Sequence, residues 1–343
     1  MQDTEKASPT SYPKIELHVH LEATVRPETL LEIARRNDIA LPADTAEGIR
    51  ELYDFRDFDH FIEVWILTTN ALKTADDFRR VVVDYAEDAA RHGAVYIEGI
   101  FSPIERTWRG VGWDDIFSGY CDGAQEARER HRVDVRLTPD ITRGASPEDG
   151  VELVGHAARY RERGIVGVGL GGEEALHPPE KFVEAFRLAR EEGLGSVPHA
   201  GEVVGPASIW GAIDALNADR VRHGIRAVED PALVRELAER QIVLDVTPLS
   251  NLRTGVVTSL DEHPLPQLVA AGVPCSVSTD DPEMFDTDLT REYEAACSLG
   301  IHPETMFEAG LKGALCDEAT RARLRAIAET FDWPAVGAVS SRY

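Results

Sequence analysis

Short runs of β-branched and aliphatic residues alternate along this chain with longer amphipathic stretches, and the alternation predicts strands and helices in turn. The runs with strand character are Ile15–His20, Val95–Phe101, Val133–Thr138, Ile165–Leu170, Ser196–His199, Arg220–His223, Ile242–Val246 and Cys275–Ser278. Between the later ones lie Pro147–Arg163, Pro178–Glu192, Pro231–Arg240 and Pro264–Ala271. Each of these opens on proline, which suits a first helical turn because the N–H missing there has no intrahelical partner anyway. Strands alternating with helices predict a closed parallel (β/α)8 TIM barrel of the α/β class in preference to an open doubly wound sheet. One interval breaks the rhythm. Leu21 to Gly93 separates the first two strands and must hold several helices, placed at the C-terminal mouth where they would serve as a lid. The expected organisation is a loose tail over residues 1–13 and a single barrel domain over 14–343, with the helical insertion at about 21–93.

Composition narrows the partners. The chain has 343 residues, 43% of them apolar, enough to build a core of the size a barrel needs, about 250 residues plus insertions. Thirty-six Lys and Arg against 61 Asp and Glu leave a formal charge of −25. That surface repels phosphate, so neither nucleic acid nor an anionic membrane is an expected partner. No apolar run approaches the ~18 residues that cross a bilayer, and the first residues lack the apolar centre of a signal peptide. A cytoplasmic protein is expected. Cys121, Cys275, Cys297 and Cys316 are widely spaced, which indicates neither a disulfide framework nor a thiolate zinc site. No heptad pattern speaks to the oligomeric state.

The chemistry gathers at predicted strand ends. The first strand ends in His18-Val19-His20, the fifth in His199-Ala200-Gly201-Glu202, the sixth in His223-Gly224, and the eighth runs into Asp280-Asp281. Parallel barrel strands deliver their C-terminal ends to one face, where barrel active sites form. Residues i and i+2 of a strand share a side, so His18 and His20 project together. With His199 and Asp280 they make an N/O ligand set suited to zinc or a similar first-row ion, with a position left for water. His60, His92, His131, His156, His177, His263 and His302 have no such company and read as hydrogen-bonded core or surface residues.

The segments PKIELHVHLEATVRPETL, SVPHAGE, RVRHGIR and STDDPEMF resemble, in order, the signature segments of the adenosine deaminase family of metal-dependent aminohydrolases. The resemblance implies one zinc ion per subunit, bound by His18, His20, His199 and Asp280. It implies Glu202 as proton donor to purine N1 and His223 as the residue that orients the attacking water and helps deprotonate it. Asp281 would hydrogen-bond N7, and the backbone N–H of Gly172 would reach N3. Glu202 serves as an acid only if burial raises its pKa, and Asp281 donates to N7 only if it too keeps a proton. A binuclear amidohydrolase site usually needs a carbamylated lysine or bridging carboxylate at the fourth strand's end, where this chain has Gly171-Gly172 and no lysine. The zinc deaminases built on H-x-E…P-C-x-x-C are excluded because no such cysteine pair exists.

The amine removed is less plain. Family members acting on adenosine commonly read HLDG after the paired histidines, the aspartate lying near the ribose 5′-hydroxyl. Here the segment is Leu21-Glu22-Ala23-Thr24, which makes Glu22 the expected sugar-side contact. LYDFRDFDHF, LKTADDF, HPPEKF, TPLSNLRT and EHPL resemble the adenine deaminase branch instead, although that branch tends to carry Asp-Ser-Ser where this chain keeps Gly171 and Gly172. The mixture fits a nucleoside modified at its 5′ end. The expected substrate is 6-aminodeoxyfutalosine, an adenine nucleoside with a benzoate-bearing extension deaminated on the futalosine route to menaquinone. Adenosine and adenine are the alternatives, and a non-catalytic binding protein on the same barrel is a remote one. Arg26, Arg106, Arg109 and Arg226 are candidates to meet the benzoate. Phe55, Phe58, Phe61 and Trp65, at near-helical spacing, are candidates for an apolar gate.

Overall fold

The computed structural model describes residues 12–56 and 58–334, with the backbone alone for Phe58 and Asp59. Residues 1–11 of the expected tail lie outside that range, and its last two, Tyr12 and Pro13, are buried rather than loose. The strands are β1 Lys14–His20, β2 Ala94–Phe101, β3 Asp134–Thr142, β4 Gly167–Gly171, β5 Gly195–Ser196, β6 His199–Ala200, β7 Arg220–His223, β8 Val243–Val246 and β9 Cys275–Val277. They pair in parallel in the order β1 to β5 and β6 to β9. β5 and β6 form one stave broken at Val197-Pro198, because proline has no N–H to continue the ladder. Val197 N–H still donates to Val168 O and Arg222 N–H to Pro198 O, each at 3.0 Å, so the stave stays tied on both sides. Closure comes where Val19 bridges Asp280. His20 N–H donates to Asp280 O at 2.8 Å and Asp280 N–H to His18 O at 3.0 Å. The eight predicted runs are thus the staves of a TIM barrel.

Four helices separate β1 from β2: α1 Pro27–Arg36, α2 Ala46–Leu52, α3 Phe58–Thr69 and α4 Ala75–Arg91. α4 begins with a reciprocal capping box between Thr74 and Asp77, which satisfies two otherwise orphaned backbone donors. The predicted helix Pro147–Arg163 forms as Pro147–Arg159 plus a 3-10 turn, opened by a second box from Ser146 and Asp149. Pro231–Arg240 matches its prediction and is capped by Asp230. Among the described residues no helix is long and apolar enough to cross a membrane.

Barrel interiors are usually filled by layers of Val, Ile and Leu. Here the inward positions carry charge. Arg220 binds Asp245 (2.5 Å) and Glu98 (2.6 Å), and one turn of pleat higher Arg222 binds Asp140 at 2.5 Å and Thr138 at 2.7 Å. All of these side chains are buried. Gly169 makes this possible, since a Cβ there would overlap Asp140 and Arg222.

Candidate active site

The paired histidines of β1, His199 of β6, His223 of β7 and Asp280 after β9 arrive at one mouth because their strands run parallel. His18 Nε2 lies 3.0 Å and His20 Nε2 3.2 Å from His199 Nε2. The same two nitrogens lie 3.0 and 3.3 Å from Asp280 Oδ1. Donors held tetrahedrally at ~2.0–2.1 Å from an ion sit about 3.3–3.4 Å apart, so this spacing suits a small divalent cation. The tautomers agree. His18 Nδ1 is 3.4 Å from Asp245 O and His199 Nδ1 is 3.0 Å from Leu170 O. Carbonyls only accept, so both Nδ1 atoms carry the proton and the Nε2 lone pairs face one another. Facing lone pairs repel unless a cation lies between them.

The electrostatics favour positive charge at the same point. Burial pulls His20 down, but Asp281 and Asp280 outweigh it and lift its pKa to about 9. Burial alone would raise Asp280; His18, His20 and His223 overturn this and hold it well below the usual carboxylate range. His199 goes the other way, pressed to about 3 by burial against the pull of Asp140. Asp280 Oδ2 also accepts from Ser250 Oγ at 2.6 Å, which fixes the carboxylate plane.

Two of these residues have left-handed backbone: His223 at φ 62° and Asp280 at φ 66°. For non-glycine residues this costs roughly 1–2 kcal/mol each, and such strain clusters at functional sites. It turns both side chains from the strand direction into the mouth.

Beside the cluster opens a cavity of about 280 Å³ whose wall includes Phe61, Trp65, Trp108, Gly172, Glu202 and Asp281. Glu202 Oε2 is 3.4 Å from His223 Nε2. Burial, then the neighbouring Asp280, Glu174 and Asp281, raise Glu202 well above the ordinary glutamate value. Asp281 is raised in the same manner by burial, and its Oδ1 accepts from Trp65 Nε1 at 2.9 Å. Burial presses His223 well below the usual histidine value. Two carboxyls biased towards their protonated form thus stand beside one biased towards the ionised form.

Several side chains not anticipated above complete the site. Strand β3 runs past Thr138, where the sequence pattern placed its end, continues through Pro139 and delivers Asp140, whose Oδ2 is 3.3 Å from His199 Nδ1. Gly171 lines the cavity and also admits that carboxylate, since a Cβ would lie 2.7 Å from Asp140 Oδ2. Gly172 is required for its own backbone, at φ 103°. Glu174 accepts the N–H groups of Gly201 (2.6 Å), Glu202 (3.2 Å), Val203 (2.9 Å) and Val204 (3.0 Å), pinning the loop that carries Glu202.

Two sets of expected contacts are not on the cavity wall. Glu22 is buried and lies outside the cavity wall; its Oε1 accepts Ser102 N–H at 2.7 Å, and Ser102 is the residue that faces the cavity. The 3-10 turn Leu21–Thr24 follows β1 immediately, and all four of its residues are buried. None of the four candidate arginines lines the cavity. Arg26 pairs with Asp88 and Arg226 with Glu229; Arg106 is buried against Asn70 and Thr69, and Arg109 bonds Glu105 O. Of the expected gate, Phe61 and Trp65 line the cavity, Phe55 packs on Phe61 at 5.3 Å between ring centroids, and the Phe58 side chain lies outside the described residues.

Residues 13–330 match the adenosine deaminase family model. The chain belongs to the adenosine deaminase family. It is 53% identical to an aminodeoxyfutalosine deaminase of Acidothermus cellulolyticus, across 99% of this chain and 98% of that protein. A solved adenine deaminase of Arthrobacter aurescens superposes with a TM-score of 0.88 at 31% identity, covering 92% of this chain and 98% of the other. An amidohydrolase of Burkholderia ambifaria, solved with bound Zn, does so at 0.86 and 27% identity, covering 96% and 93%. This deaminase therefore combines the family's barrel with a buried cluster of His18, His199, His223 and Asp280, beside which the part-buried His20 groups with Asp280 and Asp281, and a zinc-bound relative shares its fold.

Proposed function

We propose that this deaminase hydrolyses the 6-amino group of 6-aminodeoxyfutalosine, releasing ammonia and the 6-oxo nucleoside. The observation that carries the reading is one cavity wall that brings Glu202, His223 and Asp281 together with His20, His199 and Asp280, while the buried His18 lies 3.0 Å from both His199 and Asp280. In this reading His18, His20, His199 and Asp280 hold one zinc ion per chain. Zinc in such a set lowers the pKa of water from ~15.7 towards ~7 and so supplies a nucleophile at neutral pH. Attack at C6 ends the aromaticity of the ring and drives electron density onto N1. Glu202, kept protonated by burial, delivers its proton there; its carboxylate then takes the remaining proton of the attacking oxygen and passes it to the amino group, so that the C6–N bond breaks and ammonia leaves. Asp281, also protonated and steadied by Trp65, donates to N7, and Gly172 N–H donates to N3. His223 orients the attacking oxygen. Residues 14–343 form a single barrel domain in this reading, with the helices of 21–93 covering its mouth, and the protein works in the cytoplasm.

The choice of nucleoside rests on the 53% identical relative and on the cavity wall. Ile62, Ile66 and the half-exposed Trp108 extend it beyond the polar end, an apolar surface suited to an aromatic 5′ extension. Adenine is the second reading, favoured by the 31% identical adenine deaminase structure. Comparing kcat/KM for adenine, adenosine and 6-aminodeoxyfutalosine on one zinc-loaded preparation separates them. The modified nucleoside is expected to lead; a wide margin for adenosine or adenine overturns the proposal.

A further inference from the structure

The segments TPLSN and EHPL contain a buried hydrogen-bond chain that the reaction above does not use. It starts from a donor of fixed identity. Leu265 N–H donates to His263 Nδ1 at 3.1 Å, and a backbone N–H cannot accept, so Nδ1 of His263 carries a lone pair. Burial presses the His263 pKa to about 4, so the ring is neutral at pH 7 and its one proton sits on Nε2. That nitrogen lies 3.2 Å from Asn251 Oδ1. The amide has only one compatible orientation, since reversing it would set an NH2 donor against the N–H of His263. With Oδ1 committed to His263, Nδ2 faces His223 Nδ1 at 3.4 Å. Thr247 Oγ1 lies 3.3 Å from the same nitrogen, but a hydroxyl takes either role and leaves the direction to the amide. All four side chains are buried.

We propose that Asn251 and His263 are positioning residues that transmit the direction of one backbone N–H to His223, fixing its proton on Nε2. The Nε2–H then points into the mouth, where Glu202 Oε2 is 3.4 Å and Asp280 Oδ2 3.8 Å away. A neutral His223 in this tautomer holds the attacking oxygen as a hydrogen-bond donor and offers it no basic nitrogen. This replaces the expectation that His223 helps to deprotonate the water. The inference rests on the placing of His223 at the reacting centre but reads out separately from turnover.

The test is a two-bond 1H–15N correlation spectrum of zinc-loaded, 15N-histidine-labelled protein, with His223 identified by its missing signals in His223→Gln. The wild type is expected to show a protonated Nε2 and an unprotonated Nδ1. Asn251→Asp supplies two acceptors and no donor, so the proton should move to Nδ1. With it kcat should fall ~10²-fold or more, as when a catalytic histidine is held in the wrong tautomer, while KM stays within about threefold and zinc content is unchanged. His263→Gln, which keeps a donor towards Asn251, should retain more activity than His263→Ala. A wild-type proton on Nδ1 overturns the proposal, as does an Asn251→Asp protein with the wild-type ring pattern and kcat. Should Asn251→Asp not fold, the wild-type spectrum and the His263 pair decide. A protein with the expected tautomer but no ammonia release from any 6-aminopurine would refute the functional reading and leave the hydrogen-bond chain standing.

Discussion

The lower interior of this barrel and its mouth both bury ionisable groups, with β7 contributing Arg220 to one and His223 to the other, and with opposite results. In the lower layer Arg220 meets Asp245 and Glu98, Ser276 Oγ donates to Asp245 at 2.7 Å, and Tyr96 OH donates to Glu98 at 2.7 Å. Arg220 spends its remaining donors on Gly313 O (3.0 Å) and Leu17 O (3.1 Å). Signs alternate, and the desolvation of each ion is offset by its neighbours. At the mouth, like meets like: imidazole nitrogens face each other, and Glu202, Asp280 and Asp281 share one cavity. Asp280 meets His18 and His20 there, but among the described residues no Lys or Arg lines the cavity that Glu202, Asp280 and Asp281 share. Equal burial therefore yields a structural bolt where charges are complementary and a reactive site where they are not.

The largest effect separating the two layers is expected from His20→Ala. Zinc per chain should drop towards zero by elemental analysis and deamination should fall on the order of 10³-fold or more, beyond the ~10–100-fold typical of losing a ligand's supporting partner. Full zinc content with wild-type turnover would break the comparison. Arg220→Met should act in the opposite way, leaving Glu98 and Asp245 buried and uncompensated at about 3–5 kcal/mol of stability. Denaturant unfolding should show the loss while kcat per zinc-loaded molecule stays near wild type; unchanged stability would mean that the lower layer is no bolt.

Lys14 begins β1 at that lower end, and burial, opposed by Asp288, Cys297 and Glu294, lowers its pKa to about 8. The unfolded chain, near the ordinary value of 10.5, binds the proton more tightly between those two pH values. Stability should therefore rise as pH climbs from about 8 to 10.5, by up to about 3 kcal/mol, and Lys14→Met should lose that slope. A slope that persists in the variant assigns it to other groups. The smallest change is expected from Asp281→Asn. A carboxyl with a raised pKa donates at neutral pH and loses its proton as pH rises, so the wild type should lose activity on the alkaline side. The amide keeps a donor at all pH, so the variant should lack that alkaline limb, with kcat/KM down about tenfold at pH 7. An unchanged limb would remove Asp281 from the donors.

The staves, and the histidines and aspartate that gather at their ends, were readable because their signals are local. Alternating apolar runs, prolines opening helices and the HxH spacing all depend on residues a few positions apart. Asp140 was missed because β3 continues through Pro139, a residue that reads as a stop; its neighbours in β4, Gly169 and Gly171, are what let the strand and its carboxylate fit. Glu22 is absent from the cavity wall, and the sequence does not reveal that a 3-10 turn follows β1 directly and buries all four of its residues. His263 read as a bland core histidine and is one, except that the residue it orients, Asn251, touches His223.

The order of strands, the ligand types at their ends and the acidic surface were set by the sequence alone, since each follows from composition or from spacing along one segment. Protonation, direction and company were decided only in three dimensions. Whether Glu202 keeps its proton, which nitrogen of His223 carries hydrogen and what Gly171 makes room for all depend on groups brought together from distant strands. The physical reason is that burial and electric field are properties of a place, and a place exists only once the barrel has closed.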